Sequence, residues 1–566
     1  MEPFKIGINM AGAISAGAYT AGVLDFLIEA LDQWYAAKEE WRKDRTKPPV
    51  PLHDVSLEVF SGASAGGMCA AIAALQVREE FKHVTAPTLG QTTNRLYRSW
   101  VEEIDITHLL KSEDLESGGN VISLLDSTII DQIAERALAP SAAPPKPRDY
   151  ISKNLNIFLT LTNLRGVPYR LYSDASDAIE ESTAYYGDRI QFEMVQPGNA
   201  PESELAKPLP LDSPGDEVWQ ILCTAAKATG AFPVFLAPRV LTRKANDYLK
   251  PMWPTCHNTQ ASEVLPEWSL KPEGTWETLN VDGGVIDNDP FDLAHDYLFD
   301  HHLKKHGRNP REAIKADRAV LTVAPFPAES AFDPHYNPET NSGVFPALSR
   351  LFTALISQSR FFGESLALML KGPVFSRFVI APSDETETNA LQCGTLGAFG
   401  GFFSWRFRAH DYLLGRRNCQ QFLRNDFVLP EGNPIIKEGL HDLGSQRKSV
   451  VEDFHVDPPE EAEPKDQAWI PIIPLVGTAR VTVSRPLREF LTDSELGAIV
   501  DLIAIRFREV VRAWANPLPS WRLRWFLKAA ATITVLFGKN EIRNLLRKQL
   551  IAEGAMPDPD KETPKA

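Results

Sequence analysis

The sequence Val59-Phe60-Ser61-Gly62-Ala63-Ser64-Ala65-Gly66-Gly67-Met68-Cys69 joins a strand pattern to a helix pattern, and it decides the predicted fold. Before it, Val55, Leu57 and Val59 alternate with other residues, which is typical of a short β-strand. After it, Met68–Leu75 is an apolar run with high helix propensity. Small residues also mark ordinary tight turns. Between a strand and a helix, however, Gly62-x-Ser64-x-Gly66 allows a sharp corner that exposes the Ser64 hydroxyl beside the positive end of the helix dipole.

A similar strand, loop and helix come earlier in the chain. Lys5–Met10 is a predicted strand, Ala11–Gly17 is rich in Gly and Ala, and Val23–Trp34 has apolar residues at helical spacing. Two such units in succession predict an α/β fold whose parallel sheet carries both loops at one edge. Further predicted elements are strands at Leu155–Thr162, Thr278–Val281 and Ala319–Val323, a hairpin partner at Tyr169–Tyr172, and helices at Glu217–Thr229 and Phe345–Leu370.

Composition bounds the class of protein. The 566 residues have room for two or three domains, or for one large α/β domain with additions. A formal charge of −15 argues against a nucleic-acid partner. The five cysteines are scattered without a Cys-x-x-Cys pair, which favours a reducing compartment, so the predicted location is cytoplasmic. The N-terminus lacks a signal-peptide pattern, and no uninterrupted apolar run reaches the length that spans a bilayer.

The predicted organisation has two parts. Residues 1–330 form a catalytic domain with an insertion at about 80–150, which is either a solvent-exposed excursion or a lid. Residues 331–566 form a mostly helical C-terminal region with an acidic, proline-containing linker at about 451–466.

A nucleophilic Ser64 needs a base, an oxyanion site and room for an acyl group. The Ala11–Gly17 loop leads into a helix N-terminus, so its amides can face negative charge, although a tight packing loop would have the same composition. Asp282 follows an apolar strand and precedes Gly283 and Gly284, which leaves its carboxylate without bulky neighbours; Asp-Gly is also a common turn. Six of the histidines that follow Ser64 are considered as its base, and none of them lies in a clear strand-end loop: His295, His301, His302, His306, His335 and His410.

Together the three loops resemble the patatin-like phospholipase family. Gly62-Ala63-Ser64-Ala65-Gly66 matches its nucleophile elbow, and Asp282-Gly283-Gly284, with Asn288 and Pro290 behind, matches its Asp-Gly-Gly/Ala motif. Ala225–Pro233 resembles the helix and turn between these motifs. The first loop is similar to the family's glycine-rich oxyanion motif but has fewer glycines, with Ala16 where an arginine is usual. The resemblance covers roughly Phe4–Phe326.

The resemblance implies a three-layer α/β/α fold and a phospholipase A-type acyl hydrolase that works through a Ser64–Asp282 dyad, without a metal or other cofactor. Its expected substrate is a phospholipid or another acyl lipid. Two alternatives stay open: an α/β-hydrolase with a Ser-His-Asp triad, and a hydrolase-like protein that binds lipid or a partner without turnover. The expected oxyanion donors are the amides of Gly12, Ala13, Ile14, Gly17 and Ala65.

The segment Trp521–Leu550 differs from the rest of this acidic chain. Seven basic residues accompany a single acid, Glu541, giving a local charge of 7 − 1 = +6. Basic residues mixed with Trp and Phe favour a helix lying in a lipid interface, which predicts peripheral contact with the inner face of the membrane. The other interpretation is a helix that packs its apolar face on the domain while its basic face balances acidic segments such as Val451–Asp466.

Overall fold

The computed structural model describes most of the chain. The predicted helix at Phe345–Leu370 lies outside the described residues, as do Cys256, His301, His302, His306 and His335. The described ranges are 2–90, 92–116, 120–139, 145–172, 180–196, 198–203, 205–211, 215–248, 266–268, 270–300, 309–326, 338, 374–384, 390–459, 462–517 and 520–558.

A mixed sheet forms the centre of the protein. Among the described residues its strands are β1 (Phe4–Met10), β2 (Val55–Gly62), β3 (Ile151–Tyr172), β4 (Glu180–Val195), β5 (Lys207–Pro210), β6 (Arg239–Lys244), β7 (Thr275–Asp282), β8 (Arg318–Val323) and β9 (Arg377–Ile380). They lie in the order β5-β4-β3-β2-β1-β8-β9, while β7 pairs with both β3 and β6. The central run from β3 to β9 is parallel, and β4 and β7 run antiparallel to β3.

Helices cover both faces of this sheet. One face packs α1, α2 and α6 into the main apolar core, whereas α7 packs on the opposite face against Val59, Phe158 and Val320. The predicted three-layer α/β/α fold is confirmed. The described helices are α1 (Gly17–Lys43), α2 (Ser64–Gln76), α3 (Arg95–Tyr97), α4 (Ile106–Leu109), α5 (Thr128–Ala137), α6 (Glu217–Thr229), α7 (Phe291–Asp300), α8 (Trp405–Asn425), α9 (Pro434–His441), α10 (Arg447–Phe454), α11 (Asp493–Ala515) and α12 (Trp521–Ala552).

One predicted pairing is wrong. Tyr169–Tyr172 is not a separate hairpin strand, because it continues β3 and pairs with β4. Asn163-Leu164-Arg165-Gly166 contains residue types that are common in turns, but the register between β3 and β4 shifts there and the strand continues. An irregularity in the ladder absorbs the turn-like residues without reversing the chain.

The first helix is longer and more buried than its apolar spacing predicted. Residues 14–43 are long and apolar enough to span a bilayer by length and composition, although the sequence contains no uninterrupted apolar run of that length. In the structure, 94% of the most apolar window is buried inside the protein, which is typical of a core helix.

The C-terminal region packs directly on α1. A Cβ atom on Gly22 would lie 1.9 Å from the carbonyl oxygen of Tyr412, and one on Gly415 would lie 2.2 Å from that of Tyr19, so α1 and α8 cross at backbone contact. Beside this crossing the buried Arg416 forms ion pairs with Asp25 and Glu29. A single apolar core extends from Phe4 to Met556. The domain division at residue 330 stays a prediction, and the strand β9 that follows it belongs to the central sheet.

The segment predicted as an acidic linker has structure of its own. The helix α10 continues to Phe454, and Val456 forms an isolated antiparallel bridge with Trp469. Trp469 belongs to a small second sheet, in which β11 (Trp469–Pro471) pairs with β10 (Val428–Pro430).

Candidate active site

The nucleophile elbow forms where β2 meets α2. Ser64 has φ = 52°, a left-handed conformation that costs energy in a residue with a side chain. Glycine is required on both sides, because the turn brings backbone against backbone. A Cβ on Gly62 would lie 2.6 Å from the Gly66 carbonyl carbon, and one on Gly66 would lie 2.1 Å from the Met10 carbonyl oxygen. The elbow therefore stacks on the end of β1 as well as closing on itself.

Ser64 and Asp282 lie in direct contact, although 218 residues separate them. The Ser64 hydroxyl donates a hydrogen bond of 2.6 Å to Asp282 Oδ2. The other carboxylate oxygen, Oδ1, accepts the Gly284 N–H at 2.7 Å. Both side chains are buried, with 6% and 3% of their residue surfaces exposed. The predicted nucleophile and base thus meet in a site from which most water is excluded.

Burial changes the basicity of this carboxylate. Loss of solvation raises the pKa of Asp282 to about 7, against the opposing effect of the hydrogen bonds from Ser64 and Gly284. A carboxylate with such a pKa is a far better proton acceptor near neutral pH than an exposed aspartate.

Two elements hold the backbone of Asp282 and Gly283 at the sheet edge. Its N–H donates to the Ala231 carbonyl at 3.0 Å, and its carbonyl accepts the Thr162 hydroxyl at 2.8 Å. Gly283 is fixed by proximity, because a Cβ there would lie 2.2 Å from the Thr160 carbonyl oxygen. The strand β3 and the turn after α6 therefore position the base.

The oxyanion loop, Ala11–Gly17, passes beside Ser64. A Cβ on Gly12 would lie 2.0 Å from Asn288 Oδ1 and 3.0 Å from Ser64 Cβ. Within the described residues the N–H groups of Gly12 and Gly17 already donate to carbonyls of Asn288 and of the loop itself. The backbone N–H groups of the other predicted donors are bonded to no acceptor within the described part of the chain: Ala13, Ile14 and Ala65.

An apolar crevice begins one helical turn after Ser64. Met68 lies four residues further along α2, on the same side of the helix, and lines this crevice together with Trp100 and Ile133. The remaining lining residues are almost all apolar: Ile72, Ser99, Ile104, Ile130, Ala134, Leu138, Ala226 and Lys227. The insertion thus supplies one wall of a crevice beside the site.

The site also uses residues to which the sequence analysis gave no role. Thr229 accepts the Ser64 N–H on its hydroxyl at 2.9 Å. It is the last residue of α6, and its only signal in the sequence is that it precedes the helix-ending Gly230. The carbonyl of Asn288 accepts the Gly12 N–H at 3.0 Å, and the carbonyl of Ala398 accepts the Ser15 hydroxyl at 2.6 Å. Asn288 belongs to the matched Asp-Gly-Gly motif, but the motif does not mark its carbonyl as an acceptor, and no local pattern marks Ala398.

An elbow serine bonded to a buried acid, on a three-layer α/β/α sheet, defines the general class of hydrolase-like folds with a nucleophile elbow. The sequence model of the patatin-like phospholipase family matches residues 9–295, and the chain belongs to this family. It is also similar to a Sinorhizobium fredii (strain NBRC 101917 / NGR234) protein described as uncharacterized protein y4iI. The two are 33% identical over an alignment of 605 positions, which covers 98% of this chain and 82% of that protein. Members of the family are in general lipid acyl hydrolases that act on esters.

Proposed function

We propose that this chain hydrolyses carboxylic esters of acyl lipids, in the manner of a phospholipase A, with Ser64 as nucleophile and Asp282 as general base. The observation that carries the proposal is the 2.6 Å hydrogen bond between these two buried side chains. Family membership supports the coarser statement that the protein is a lipid acyl hydrolase.

In the first half-reaction, Ser64 Oγ attacks the ester carbonyl carbon while Asp282 Oδ2 accepts the hydroxyl proton. The carbonyl oxygen becomes an oxyanion, which accepts hydrogen bonds from the free N–H groups of Ala13, Ile14 and Ala65. The tetrahedral intermediate then collapses. The bond to the leaving alcohol breaks, the alcohol takes the proton from Asp282, and the acyl group remains as an ester on Ser64.

In the second half-reaction, a water molecule donates a proton to Asp282 as its oxygen attacks the acyl-enzyme carbonyl. The same N–H groups stabilise the second oxyanion. Collapse releases the fatty acid, and Ser64 Oγ recovers its proton from Asp282. A base with a pKa of about 7 suits both directions of this transfer, because it can accept and return a proton near neutral pH.

We place the acyl chain along the crevice next to Met68, which has a volume of only about 20 Å³ in this structure, so its walls must move apart to admit the chain. Its lining is apolar, and it begins on the helix that carries the nucleophile. We expect Ala134→Phe to reduce hydrolysis of long-chain esters more than hydrolysis of acetyl esters. Equal losses for both chain lengths would remove this crevice from substrate binding.

The decisive experiment compares wild-type protein with Ser64→Ala on phospholipid vesicles and on a soluble aryl ester. The proposal requires loss of hydrolysis and of fluorophosphonate labelling in the variant, with unchanged thermal unfolding. Persistent hydrolysis would exclude Ser64. A folded wild-type protein that turns over no ester would favour lipid or partner binding without turnover.

The triad alternative has its own test. Among the described residues no histidine is hydrogen-bonded to Ser64, whose hydroxyl is bonded to Asp282. His→Ala variants at each of the twelve positions should therefore retain turnover. A single histidine essential for activity would displace Asp282 as the base.

We also propose that the protein contacts lipid surfaces through the tip of the helical hairpin formed by α11 and α12, residues 508–528. At the opposite end the basic residues of α12 are engaged by α11: Arg547 and Lys539 form ion pairs with Asp493 and Asp501. At the tip, by contrast, Trp514 is 60% exposed and Trp525 is 69% exposed. Between residues 508 and 528 five basic residues accompany one acid, Glu509.

Flotation with anionic and with zwitterionic vesicles tests this contact. We expect the double variant Trp514→Ala/Trp525→Ala to bind anionic vesicles less than wild type does. The matched control is Leu545→Ala, because Leu545 is 67% exposed on the same helix but lies far from the tip. Equal binding by all three proteins would refute the contact. Deleting α12 is a poor test, since it would expose the buried face of α11, including Leu496 and Val500.

A further inference from the structure

Backbone strain singles out a segment beyond the family-matched residues. Among the described residues, the non-glycine residues with positive φ are Ile14, Ser64, Val234, Leu396 and Ala398. The first two lie on the oxyanion loop and the elbow, and Val234 follows the turn that bonds Asp282. Such conformations persist only where the surrounding structure enforces them, and they cluster at functional sites. Leu396 and Ala398 belong to the segment 392–401, which we call the 392–401 loop.

This loop makes a dense set of hydrogen bonds with the oxyanion loop through one side chain. Ser15 is fully buried. Its hydroxyl donates to the Ala398 carbonyl at 2.6 Å and accepts the Gly401 N–H at 3.1 Å. Its backbone N–H donates to the same Ala398 carbonyl at 3.2 Å. A Cβ on Gly401 would lie only 2.4 Å from Ser15 Oγ, so the Gly401 backbone lies directly against the Ser15 side chain.

The 392–401 loop is itself rigidly supported. The buried carboxylate of Asp411, on α8, accepts the N–H groups of Gln392 and Cys393, each at 2.8 Å. Arg408, on the same helix and also buried, donates to the Gly401 carbonyl at 2.7 Å. The 392–401 loop therefore links α8, which is packed on α1, to the oxyanion loop through hydrogen bonds.

The contact between the 392–401 loop and Ser15 lies next to the two N–H groups of the oxyanion loop that have no acceptor among the described residues, those of Ala13 and Ile14. Ile14 has φ = 47° and lies between Ala13 and Ser15. Its left-handed conformation determines where its own N–H and that of Ala13 point. Ala16 has no polar side chain that could hold the loop, whereas the neighbouring Ser15 is bonded on both sides.

We propose that the 392–401 loop holds the oxyanion loop in its donor conformation, with Ser15 as the positioning residue. Ser15 touches no reacting atom; it acts through the Ala13 and Ile14 amides. The inference rests on the proposed hydrolase function and adds that part of the catalytic machinery comes from outside residues 9–295.

The test compares Ser15→Ala with Ser123→Ala. Ser123 is a matched control, because it is also buried and its hydroxyl donates to the Leu125 carbonyl at 2.7 Å. We expect Ser15→Ala to lower kcat roughly 10- to 100-fold at unchanged KM, since displaced oxyanion donors weaken only the transition state. Inhibition by a long-chain trifluoromethyl ketone, whose serine adduct carries an oxyanion, should weaken by the same factor. Binding of a dialkyl ether phospholipid, which has no carbonyl, should stay unchanged.

A kcat within twofold of wild type in a folded Ser15→Ala protein would overturn the proposal, as would an equal loss in Ser123→Ala. If Ser15→Ala does not fold, Glu553→Ala carries the test. The Glu553 carboxylate at the end of α12 accepts the Leu396 N–H at 2.8 Å, and its removal should lower kcat several-fold at constant KM. Wild-type kcat there would also refute the proposal. Ser64→Ala is measured in parallel. Activity that survives in Ser64→Ala contradicts the proposed function. Activity that is lost in Ser64→Ala but normal in Ser15→Ala contradicts only the positioning role of Ser15.

Discussion

The nucleophile elbow and the oxyanion loop lie side by side, but different parts of the chain hold them. The elbow is shaped mainly by residues within two positions of Ser64, since Gly62 lets the backbone close on Gly66, which in turn packs on the end of β1. The oxyanion loop is held from far away, by the Ala398 and Gly401 backbones acting on Ser15. Both carry a strained residue, Ser64 and Ile14. Strain of the same kind can thus be enforced locally or by a distant segment.

The short motif around Ser64 thus encodes the elbow, whereas the conformation of the oxyanion loop depends on contacts that form only in the folded chain. Substitutions at the elbow and its base should remove the chemistry itself, and substitutions around the oxyanion loop should weaken stabilisation of the transition state. The following predictions run from the largest expected effect to the smallest.

Asp282→Asn tests the base that serves the elbow. The amide is nearly isosteric but cannot accept the Ser64 proton, so we expect kcat to fall by about 100- to 10,000-fold. Steady-state hydrolysis of a soluble ester gives the rate, and thermal unfolding verifies the fold. Turnover at the wild-type rate in a variant that still unfolds cooperatively would remove Asp282 from the mechanism.

Gly12→Val tests the oxyanion loop where it touches the elbow. The added side chain would meet Asn288 Oδ1 and Ser64 Cβ, so the loop must shift away. We expect kcat to fall roughly 100-fold, comparable to the loss of about 3 kcal/mol of oxyanion stabilisation, with little change in KM. The control is Gly497→Val on α11, where an added Cβ meets only Arg543 atoms at 3.6 Å or more. A large rise in KM at constant kcat would instead mark this loop as a substrate-binding wall.

The pH dependence of activity reports the state of the base. Only ionised Asp282 accepts the serine proton, and its pKa is about 7. We therefore expect kcat/KM to rise with pH, to reach half its plateau near pH 7, and to be about one tenth of the plateau one pH unit lower. The profile should be measured with an uncharged ester, so that the substrate does not titrate. A flat profile between pH 5 and 8 would show that no group of this pKa limits the reaction.

The contribution of Asp282 to the free energy of unfolding should fall as the pH rises, whereas activity should increase. Because burial raises the pKa of Asp282 above its usual 3.8, the folded state binds the proton more tightly than the unfolded state does. The resulting stabilisation is complete below pH 3.8 and is lost as the pH rises to about 7, up to about 4 kcal/mol. Asp282→Asn does not titrate, so it should gain stability relative to wild type from pH 4 to 8 in denaturant unfolding. Only the difference between the two proteins is informative, since burial also raises the pKa of Asp287 to about 7.

Thr229→Val gives the smallest expected effect and tests how local the elbow is. The substitution removes the hydroxyl that accepts the Ser64 N–H and leaves that buried donor unpaired. A lost hydrogen bond of about 0.5–1.5 kcal/mol corresponds to a decrease in kcat of roughly 2- to 12-fold. Thr224→Val is the control, since the Thr224 hydroxyl donates to the Gln220 carbonyl on the same helix, away from the site. A loss as large as that of Gly12→Val would mean that the elbow, too, depends on distant support.

The sequence was sufficient for the parts of the site that short patterns encode. Ser64 and Asp282 each follow an apolar strand and lie within two residues of glycine, and the structure bonds them to each other. Their strands run in opposite directions, since β2 is parallel to β3 and β7 is antiparallel to it, and the register that pairs Asp282 with Leu161 brings the end of β7 to the elbow. The α6 helix was predicted with the residue bounds that it has in the structure, because Gly230 and Pro233 end it. The pairing of a strand with an irregular register could not be predicted from the sequence. Tyr169–Tyr172 belongs to β3 because the β3–β4 ladder continues through a turn-like segment.

The other residues of the site could not be predicted, for a physical reason. Asn288 and Ala398 contribute backbone carbonyls, and a carbonyl is present at every position, so no residue type marks it. Among the expected oxyanion donors, Gly12 and Gly17 differ from Ala13 and Ile14 only in whether the folded chain supplies an acceptor. Such information exists only once distant segments meet.

The span between Ser15 and Ala398 also sets an order of events during synthesis. Their hydrogen bond joins positions 383 residues apart. At a synthesis rate of about 5–20 residues per second, the ribosome needs roughly 20–80 s to pass from one position to the other. From the synthesis of Ser64 until that of Ala398, the nascent chain carries the nucleophile without the segment that supports the oxyanion loop. If this contact positions the oxyanion donors as proposed, fragments that end before Ala398 would be poor catalysts.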